Sequence, residues 1–379
     1  MSTDVLDLSV SSFTAQLKQG LEDGFERVVE LRNERAGLTA FIALHSTALG
    51  PALGGCRMYP YVSREAALKD VCNLARGMSY KNALAGIGFG GGKAVIVGDP
   101  GAKTPEMLDA FAEGLNALKG DYLSAEDSGI SPADMFLMAK RSAFVAGADK
   151  GAGGGNPAPF TARGVFLGLE AAVQARLGVS ASRGSGNTSL SGLRVGVEGL
   201  GQVGYLLARM LRESGADVIA SELNPARLQQ AVTELGVIAV EGDALLDSGL
   251  DVFAPCSVGG AMGGAISAKR VNRVRAPVIA GAANNQLENA ALGDLLARRR
   301  QLYAPDYVIN AAGVISIAGE YLGCWSPEWV SARVEQIPYS LGKIFEQAEQ
   351  ASLPTSLVAD RCAREAIRSA QSAALPISA

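Results

Sequence analysis

One stretch, between residues 193 and 222, restricts the fold more than any other. Leu193 to Val197 reads as a strand, and Gly199-Leu200-Gly201-Gln202-Val203-Gly204 follows at once. Tyr205 to Glu213 then has helical spacing, and Ala216 to Ala220 reads as a second strand ending at Ser221-Glu222. A bare G-x-G-x-x-G is weak. Strand, glycines, helix, strand and acid in this order over about thirty residues describe the opening of a doubly wound, dinucleotide-binding sheet. The glycines let a pyrophosphate approach the helix N-terminus, and the acid accepts hydrogen bonds from the adenine ribose. Glu222 would repel a 2′-phosphate, so NAD is expected over NADP, with Arg227 nearby as the opposing signal.

Further strand and turn units continue the pattern at Val237 to Val240, Val252 to Pro255, Val278 to Ala280 and Tyr307 to Ile309. Alternating strands and helices predict a mostly parallel sheet for this half. From about Trp329 the chain reads as amphipathic helix. A chain of 379 residues exceeds what one core usually serves, so two domains are expected. Gly151 to Pro159 is the strongest composition break before the glycine motif and reads as a hinge approach. The expected division is 1–159, joined by a C-terminal helix from about 350–379, and 160–349. The polar stretch 181–192 reads as a surface loop.

Composition excludes several function classes. The apolar fraction is 48%, the charged fraction 19% and the formal charge −4, with no long basic block, so neither nucleic acid nor an anionic membrane is an expected partner. The N-terminus lacks the pattern of a secretion signal, and a cytoplasmic location is expected. Five scattered cysteines without a C-x-x-C read as reduced, mostly buried thiols. A single histidine, His45, supplies neither a zinc cluster nor a Ser-His-Asp triad, and no metal is expected.

In the first half, Val28 to Leu31 and Leu38 to Leu44 predict a hairpin through Asn33 to Gly37. Gly50 to Gly55 reads as a turn-rich stretch that continues neither strand. Ser63 is a predicted N-cap for a helix that delivers Lys81 at its end. Glycines at 86, 88, 90, 91 and 92 then lead to Lys93 and a strand over Ala94 to Val97. Such a run lets a ligand or backbone come close, and a lysine leaving it is either a fixed charge or, if desolvated, a proton-transfer group. By themselves these residues leave open a flexible turn with a solvated lysine. Asp121 to Ala125 reads as a strand leading into Glu126-Asp127-Ser128-Gly129, where an acid is either a catalytic group or a helix cap. Asn284-Asn285, after the strand at 278–280, could bond a ligand or cap the next helix.

Seven segments together carry a resemblance. GPALGGCRMYPY (50–61), GMSYKNALAGIGFGGGKAVIVGDP (77–100), AEDSG (125–129), GNPAPFTARGV (155–165), VEGLGQVG (197–204), GAANNQL (281–287) and YAPDYVINAAGV (303–314) resemble the leucine, valine and phenylalanine dehydrogenases of the larger glutamate dehydrogenase superfamily. The match runs in order from about residue 40 to residue 325. It implies an α/β protein of two domains: an N-terminal substrate and oligomerisation domain, and a Rossmann-type domain, with the active site in the cleft between. It also implies NAD-dependent, reversible deamination of an L-amino acid to a 2-oxo acid and ammonia by a homo-oligomer. Residue by residue, Lys81 resembles the clamp for the substrate α-carboxylate, Lys93 the catalytic lysine, and Asp127 its proton-shuttling partner. Gly54 and Asn285 resemble further substrate contacts. Thr161, Asn284 and Glu222 resemble cofactor contacts beside Gly199, Gly201, Gln202, Val203 and Gly204.

The resemblance also bears on substrate. Glutamate-using relatives carry a lysine where this chain has Leu53, and a side-chain carboxylate placed against Leu53, Ala125, Val314 and Ile317 would cost several kcal/mol without a partner. Ala125 and Val314 are like the residues of leucine and valine enzymes, so a branched-chain aliphatic substrate is expected. An aromatic amino acid such as L-phenylalanine is the alternative, since one methylene is worth only about 1 to 3 kcal/mol in such pockets. A non-catalytic NAD-binding regulatory protein is the alternative of another class. Glu198, where a neutral glutamine is more usual, is expected to place negative charge near the pyrophosphate and weaken cofactor binding. Ile130 and Ala312 also depart from the family pattern.

Overall fold

The computed structural model describes residues 9–12, 24–147, 156–178, 190–257 and 264–374. Most of the predicted loop at 181–192 and of the predicted hinge at 151–159 lies outside them. The described residues fall into two compact units, one within Met1–Gly155, Ile317–Ser326 and Ala363–Ala379, the other within Asn156–Ser316 and Pro327–Cys362.

The first unit is built on a six-stranded mixed sheet in the order β1-β2-β3-β5-β4-β6. Its strands are β1 (Ser9–Ser12), β2 (Arg27–Asn33), β3 (Leu38–Ser46), β4 (Ala52–Tyr59), β5 (Gly90–Val97) and β6 (Tyr122–Glu126). The hairpin β2-β3 forms as predicted, with Gly37 at φ +65° and the Asn33 side chain accepting the Ala36 amide at 3.0 Å. β4 runs parallel to both β5 and β6. Helix α1 (Arg64–Ala85) starts at Ser63, whose hydroxyl accepts the Ala66 amide, and stops at Gly86 in the left-handed conformation. Lys81 therefore lies one turn inside the helix rather than at its end. Helix α2 (Pro105–Ala117) is capped by Thr104, and α3 (Pro132–Ala139) by a reciprocal Ser131–Asp134 box.

Two expectations change here. Of the stretch at 50–55 only Gly50 and Pro51 belong to a turn: β4 begins at Ala52 and carries Gly54 and Gly55 within it. Likewise β5 begins at Gly90, so Lys93 stands inside a strand and does not precede it. Glycine normally weakens a strand, and here close approach of a helix compensates. A Cβ on Gly91 would lie 2.0 Å from the Ser79 amide nitrogen of α1. The sheet is covered on both faces. Phe41, Ala43 and Val95 pack against Ala67, Val71 and Ala75 of α1, while Ile42, Met58 and Ile96 pack against Leu108 and Phe111 of α2 and Met135 of α3. His45 is buried between the rings of Phe25 and Tyr80, at 5.1 and 5.9 Å.

The second unit holds a wholly parallel sheet in the order β9-β8-β7-β10-β11-β12. Its strands are β7 (Arg194–Glu198), β8 (Asp217–Ser221), β9 (Ile238–Ala239), β10 (Val252–Pro255), β11 (Val278–Ile279) and β12 (Leu302–Tyr303). This is the Rossmann order, in which the winding reverses between the first and fourth strands, here β7 and β10; ligands of such sheets bind at that reversal. Its helices are α4 (Ala158–Leu177), α5 (Gln202–Glu213), α6 (Pro225–Leu235), α7 (Ala290–Arg298) and α8 (Asp306–Ile309). Helices α9 (Ala312–Tyr321), α10 (Pro327–Val334), α11 (Ile337–Ala351) and α12 (Thr355–Ala374) follow, and α11 packs on α4.

The predicted strand at Tyr307 to Ile309 is instead α8. Its amides at Val308 and Ile309 turn back to the Pro305 carbonyl at 3.0 and 3.1 Å, and the late strand is β12, which starts five residues earlier. The β-branched run misled because tertiary context overrides so short a propensity signal. All five cysteines are free, but only Cys56 and Cys72 are buried and Cys324 is exposed, so the expectation of mostly buried thiols is corrected. Among the described residues no helix is long and apolar enough to cross a membrane.

Candidate active site

In the first unit the parallel strands β5, β4 and β6 bring Lys93, the Leu53-Gly54-Gly55 run and Ala125 side by side. Asp127 follows directly on β6. Its Oδ2 lies 2.7 Å from Lys93 Nζ, and the two side chains are only 8% and 21% exposed. The lysine is thus not a solvated turn residue. Nor does Asp127 cap a helix, since Ser131 does that for α3. Burial pushes the Asp127 carboxyl upward, but the Lys93 and Arg57 cations more than offset it and hold it at about 2. It is a carboxylate at every ordinary pH.

Glycines make this pairing possible. A Cβ on Gly55 would meet the Glu126 carbonyl at 2.7 Å, Asp127 Cβ at 2.8 Å and Lys93 Nζ at 3.0 Å. A Cβ on Gly54 would fall 1.9 Å from the Gly92 carbonyl oxygen. From α1, the buried Asn82 amide donates to the carbonyls of Leu53 (3.0 Å) and Gly90 (2.6 Å), tying helix to strands one residue from Lys81. On the other side the buried Tyr122 hydroxyl donates to the carbonyls of Gly54 (2.9 Å) and Gly55 (3.1 Å). Leu53 and Ala125 are 0% and 4% exposed and present only hydrocarbon.

Residues that the sequence does not point to surround the pair. Arg57 Nε lies 3.4 Å from Asp127 Oδ2, while its Nη1 donates to Asp70 Oδ2 at 3.0 Å. Side chains alternate along a strand, so Arg57 shares a face with Leu53 and Gly55. Reading residues 52–59 as a strand would have found it.

In the second unit, Gly199 takes φ +94° and a Cβ there would lie 2.7 Å from the Ser257 backbone. A Cβ on Gly204 would fall 2.0 Å from the Gly199 carbonyl oxygen, so helix and strand meet without a side chain between them. Gly201 heads α5, where no side chain caps the helix and a Cβ would meet nothing within 4 Å. Gln202 and Val203 open the first turn. The Glu222 carboxylate, just past β8, accepts the Leu200 amide at 2.6 Å and the Asn224 amide at 2.9 Å, which aims it at the glycine turn. A glycine-rich turn, an uncapped helix start and an anchored acid fit a dinucleotide.

Glu198 does not act as expected. Its carboxylate is ion-paired to Arg270, which also reaches Asp243 at 2.9 Å, so the charge expected at the pyrophosphate is compensated. Nothing in sequence links residues 198 and 270.

Asn284 and Asn285 are exposed beyond β11, and Asn285 adopts φ +52°. They do not cap α7, whose N-cap position is Asn289. Instead the buried Asn310 amide donates to Asn284 Oδ1 at 2.8 Å and to the Ala282 carbonyl at 3.0 Å, another link that the sequence does not reveal. Thr161, in the first turn of α4, donates its hydroxyl to the Pro157 carbonyl at 3.1 Å. It also faces Gly313 at the start of α9, beside the buried Val314. Ile317 lies three residues further along α9.

Comparison with known proteins agrees with this geometry. Residues 25–143 match the Glu/Leu/Phe/Val dehydrogenase dimerisation domain, and residues 226–374 match the Glutamate/Leucine/Phenylalanine/Valine dehydrogenase domain. A leucine dehydrogenase of Bacillus subtilis is 42% identical over 90% of this chain and 91% of its own length. A valine dehydrogenase of Streptomyces virginiae is 41% identical over 92% of this chain and 96% of its own. The crystal structure of L-tryptophan dehydrogenase from Nostoc punctiforme superposes with a TM-score of 0.79 at 36% identity, covering 94% of this chain and 99% of that one. The chain belongs to the Glu/Leu/Phe/Val dehydrogenase family, whose members are amino-acid dehydrogenases.

Proposed function

We propose that this protein catalyses the NAD-dependent oxidative deamination of a branched-chain aliphatic L-amino acid, of the valine or leucine type, to the 2-oxo acid and ammonia, and the reverse reaction. The buried Lys93–Asp127 pair at 2.7 Å, set against the hydrocarbon of Leu53 and Ala125, carries the reading. The curated leucine and valine dehydrogenases among its relatives support it.

Lys81 holds the substrate α-carboxylate, with the Gly54 backbone beside it. NAD, when bound, would supply the acceptor for the hydride that leaves the substrate Cα. Asp127, ionised before the reaction, takes the proton released from the amino group and passes it on, and Lys93 polarises the oxygen of the water that adds to the imine carbon. Collapse of that carbinolamine expels ammonia and leaves the 2-oxo acid. The overall balance is amino acid, NAD⁺ and water to oxo acid, ammonium, NADH and a proton. Leu53, Ala125, Val314 and Ile317 would receive an aliphatic side chain, and a glutamate carboxylate there would lose its hydration for several kcal/mol. Asn285 is a further substrate contact. Thr161, Asn284 and Glu222 join the turn at 199–204 in holding the cofactor, and Glu222 selects NAD against the 2′-phosphate of NADP.

The family description of residues 25–143 as a dimerisation domain supports a homo-oligomer built through that region. Free thiols suit a reducing cytoplasm.

The test is a substrate panel: NADH absorbance is followed with NAD and each standard L-amino acid at alkaline pH. L-valine and L-leucine are expected to react fastest. Faster turnover of L-phenylalanine or L-tryptophan would overturn the substrate assignment alone, and no reduction with any amino acid would overturn the enzyme. Lys93→Ala is expected to abolish turnover while NADH still binds.

A further inference from the structure

We propose that Arg57 is a positioning residue for the Lys93–Asp127 pair, held in place from behind by Asp70 and Tyr61, so that Asp127 stays charged and offers one particular oxygen for proton transfer. This rests on the reaction proposed above.

Four side chains make a continuous chain of opposite charges with Tyr61 at its far end. The Tyr61 hydroxyl donates to Asp70 Oδ2 at 2.5 Å, and Arg57 Nη1 donates to the same oxygen at 3.0 Å. Arg57 Nε stands 3.4 Å from Asp127 Oδ2, and Lys93 Nζ stands 2.7 Å from that oxygen. The Arg57 side chain is 16% exposed, so little solvent screens it. Two cations converge on Oδ2 as charges, neither in hydrogen-bond geometry, whereas Oδ1 accepts from the Ser128 hydroxyl at 3.4 Å. Oδ2 is thereby held electrostatically on the side of the cations, and Oδ1 is the oxygen that accepts the proton.

The guanidinium suits this role. A planar fork presents its donors in a fixed geometry, here Nε toward Asp127 and Nη1 toward Asp70, whereas an ammonium is a single point charge. Burial opposes the charge on Arg57, and the Asp127 and Asp70 carboxylates overcome that and raise its affinity for the proton, so it stays cationic. The other ionisable groups around Asp127 are Glu126 on β6, the buried Cys56 on β4 and the buried Tyr122 at the start of β6. None of these can be a cation, and burial favours the neutral form of all three. Lys103 is engaged by Asp134 and the Gly129 carbonyl. Lys93 and Arg57 are thus the two cations that act directly on Asp127.

Two measurements on the full-length protein test the proposal. The first uses activity: kcat and kcat/KM against pH for Arg57→Met, Arg57→Lys and Asp70→Asn, with NADH affinity measured in parallel. Arg57→Met should lower kcat by roughly 10-fold to 100-fold and move the acid limb of the profile upward, with NADH affinity unchanged. Arg57→Lys should restore part of kcat, and Asp70→Asn should act in the same direction more weakly. In an Asp127→Asn background Arg57→Met should add little.

The second needs no turnover. Because folding depresses the Asp127 pKa to about 2, the unfolded chain binds more protons between pH 2 and about 4. The stability contributed is full above pH about 4 and is lost as pH falls through 2. Arg57→Met, or Arg57→Lys if that variant fails to fold, should flatten the rise in urea midpoint across this window. An unchanged pH profile and an unchanged stability slope would overturn the role of Arg57. So would equal losses in Arg57→Lys and Arg57→Met accompanied by loss of NADH binding. A wild type inactive with every amino acid, but with the stability slope moved as stated, would overturn the reaction and leave the charge arrangement standing.

Discussion

Glu198 shows how much a single residue's meaning depends on its neighbour. It stands at the end of β7, directly before the glycine turn, where an uncompensated carboxylate would repel a pyrophosphate. Arg270, anchored also by Asp243, neutralises it, and the Arg270 and Glu198 side chains are 21% and 16% exposed. Removing one partner of so enclosed a pair leaves the other charged and poorly solvated. Arg270→Ala is therefore expected to destabilise the fold by roughly 1 to 3 kcal/mol, short of the cost for a fully buried pair. It should also weaken NADH binding, read by fluorescence titration. Adding Glu198→Gln should recover the affinity. If Arg270→Ala binds NADH as the wild type does, the pair has no bearing on the cofactor. Sequence places the acid correctly and misjudges its effect, because its counter-charge comes from 72 residues away.

Among the elements, β5 and α1 carry the two lysines proposed to act on the substrate. Lys93 stands in a strand with three glycines before it, and Lys81 in a helix that leans on those glycines. At Gly91 a Cβ would lie 2.0 Å from the Ser79 nitrogen and 2.2 Å from its Cα, with no flexible side chain to yield. Gly91→Ala should separate helix from strand and cost about 3 kcal/mol or more. Gly77, on the same helix, has open space where a methyl group would go, with nothing within 4 Å, so Gly77→Ala should stabilise by up to about 1 kcal/mol. Urea denaturation of the two variants decides whether the close approach is what the glycines serve. The helix is legible from Ser63 and its apolar spacing. In the sequence β4 is not visible and β5 looks too short, because glycine carries no strand propensity, and only the facing helix explains why it is tolerated.

For the whole molecule, a ligand that binds only the folded state adds to its stability by mass action. NADH at about 100 times its dissociation constant should raise the unfolding free energy by about 2.7 kcal/mol. NADPH at the same concentration should add much less, since the Glu222 carboxylate would repel a 2′-phosphate. Thermal melting with each nucleotide measures the difference, and equal shifts would refute NAD selectivity.

The hairpin, the helix at 64–85, the glycine turn and its acid, and the candidate lysines with Asp127 were legible in the sequence itself, because each rests on local spacing or on motifs that are contiguous in the chain, whereas β4 and the helix at 306–309 were not. The tertiary structure alone decided which charges are compensated and why the glycines are needed. Arg57 with Asp127, Arg270 with Glu198 and Asn310 with Asn284 are pairs distant in sequence, made adjacent by strand register and loop packing. An ion pair or a close backbone approach is a property of distances, and only the fold sets those.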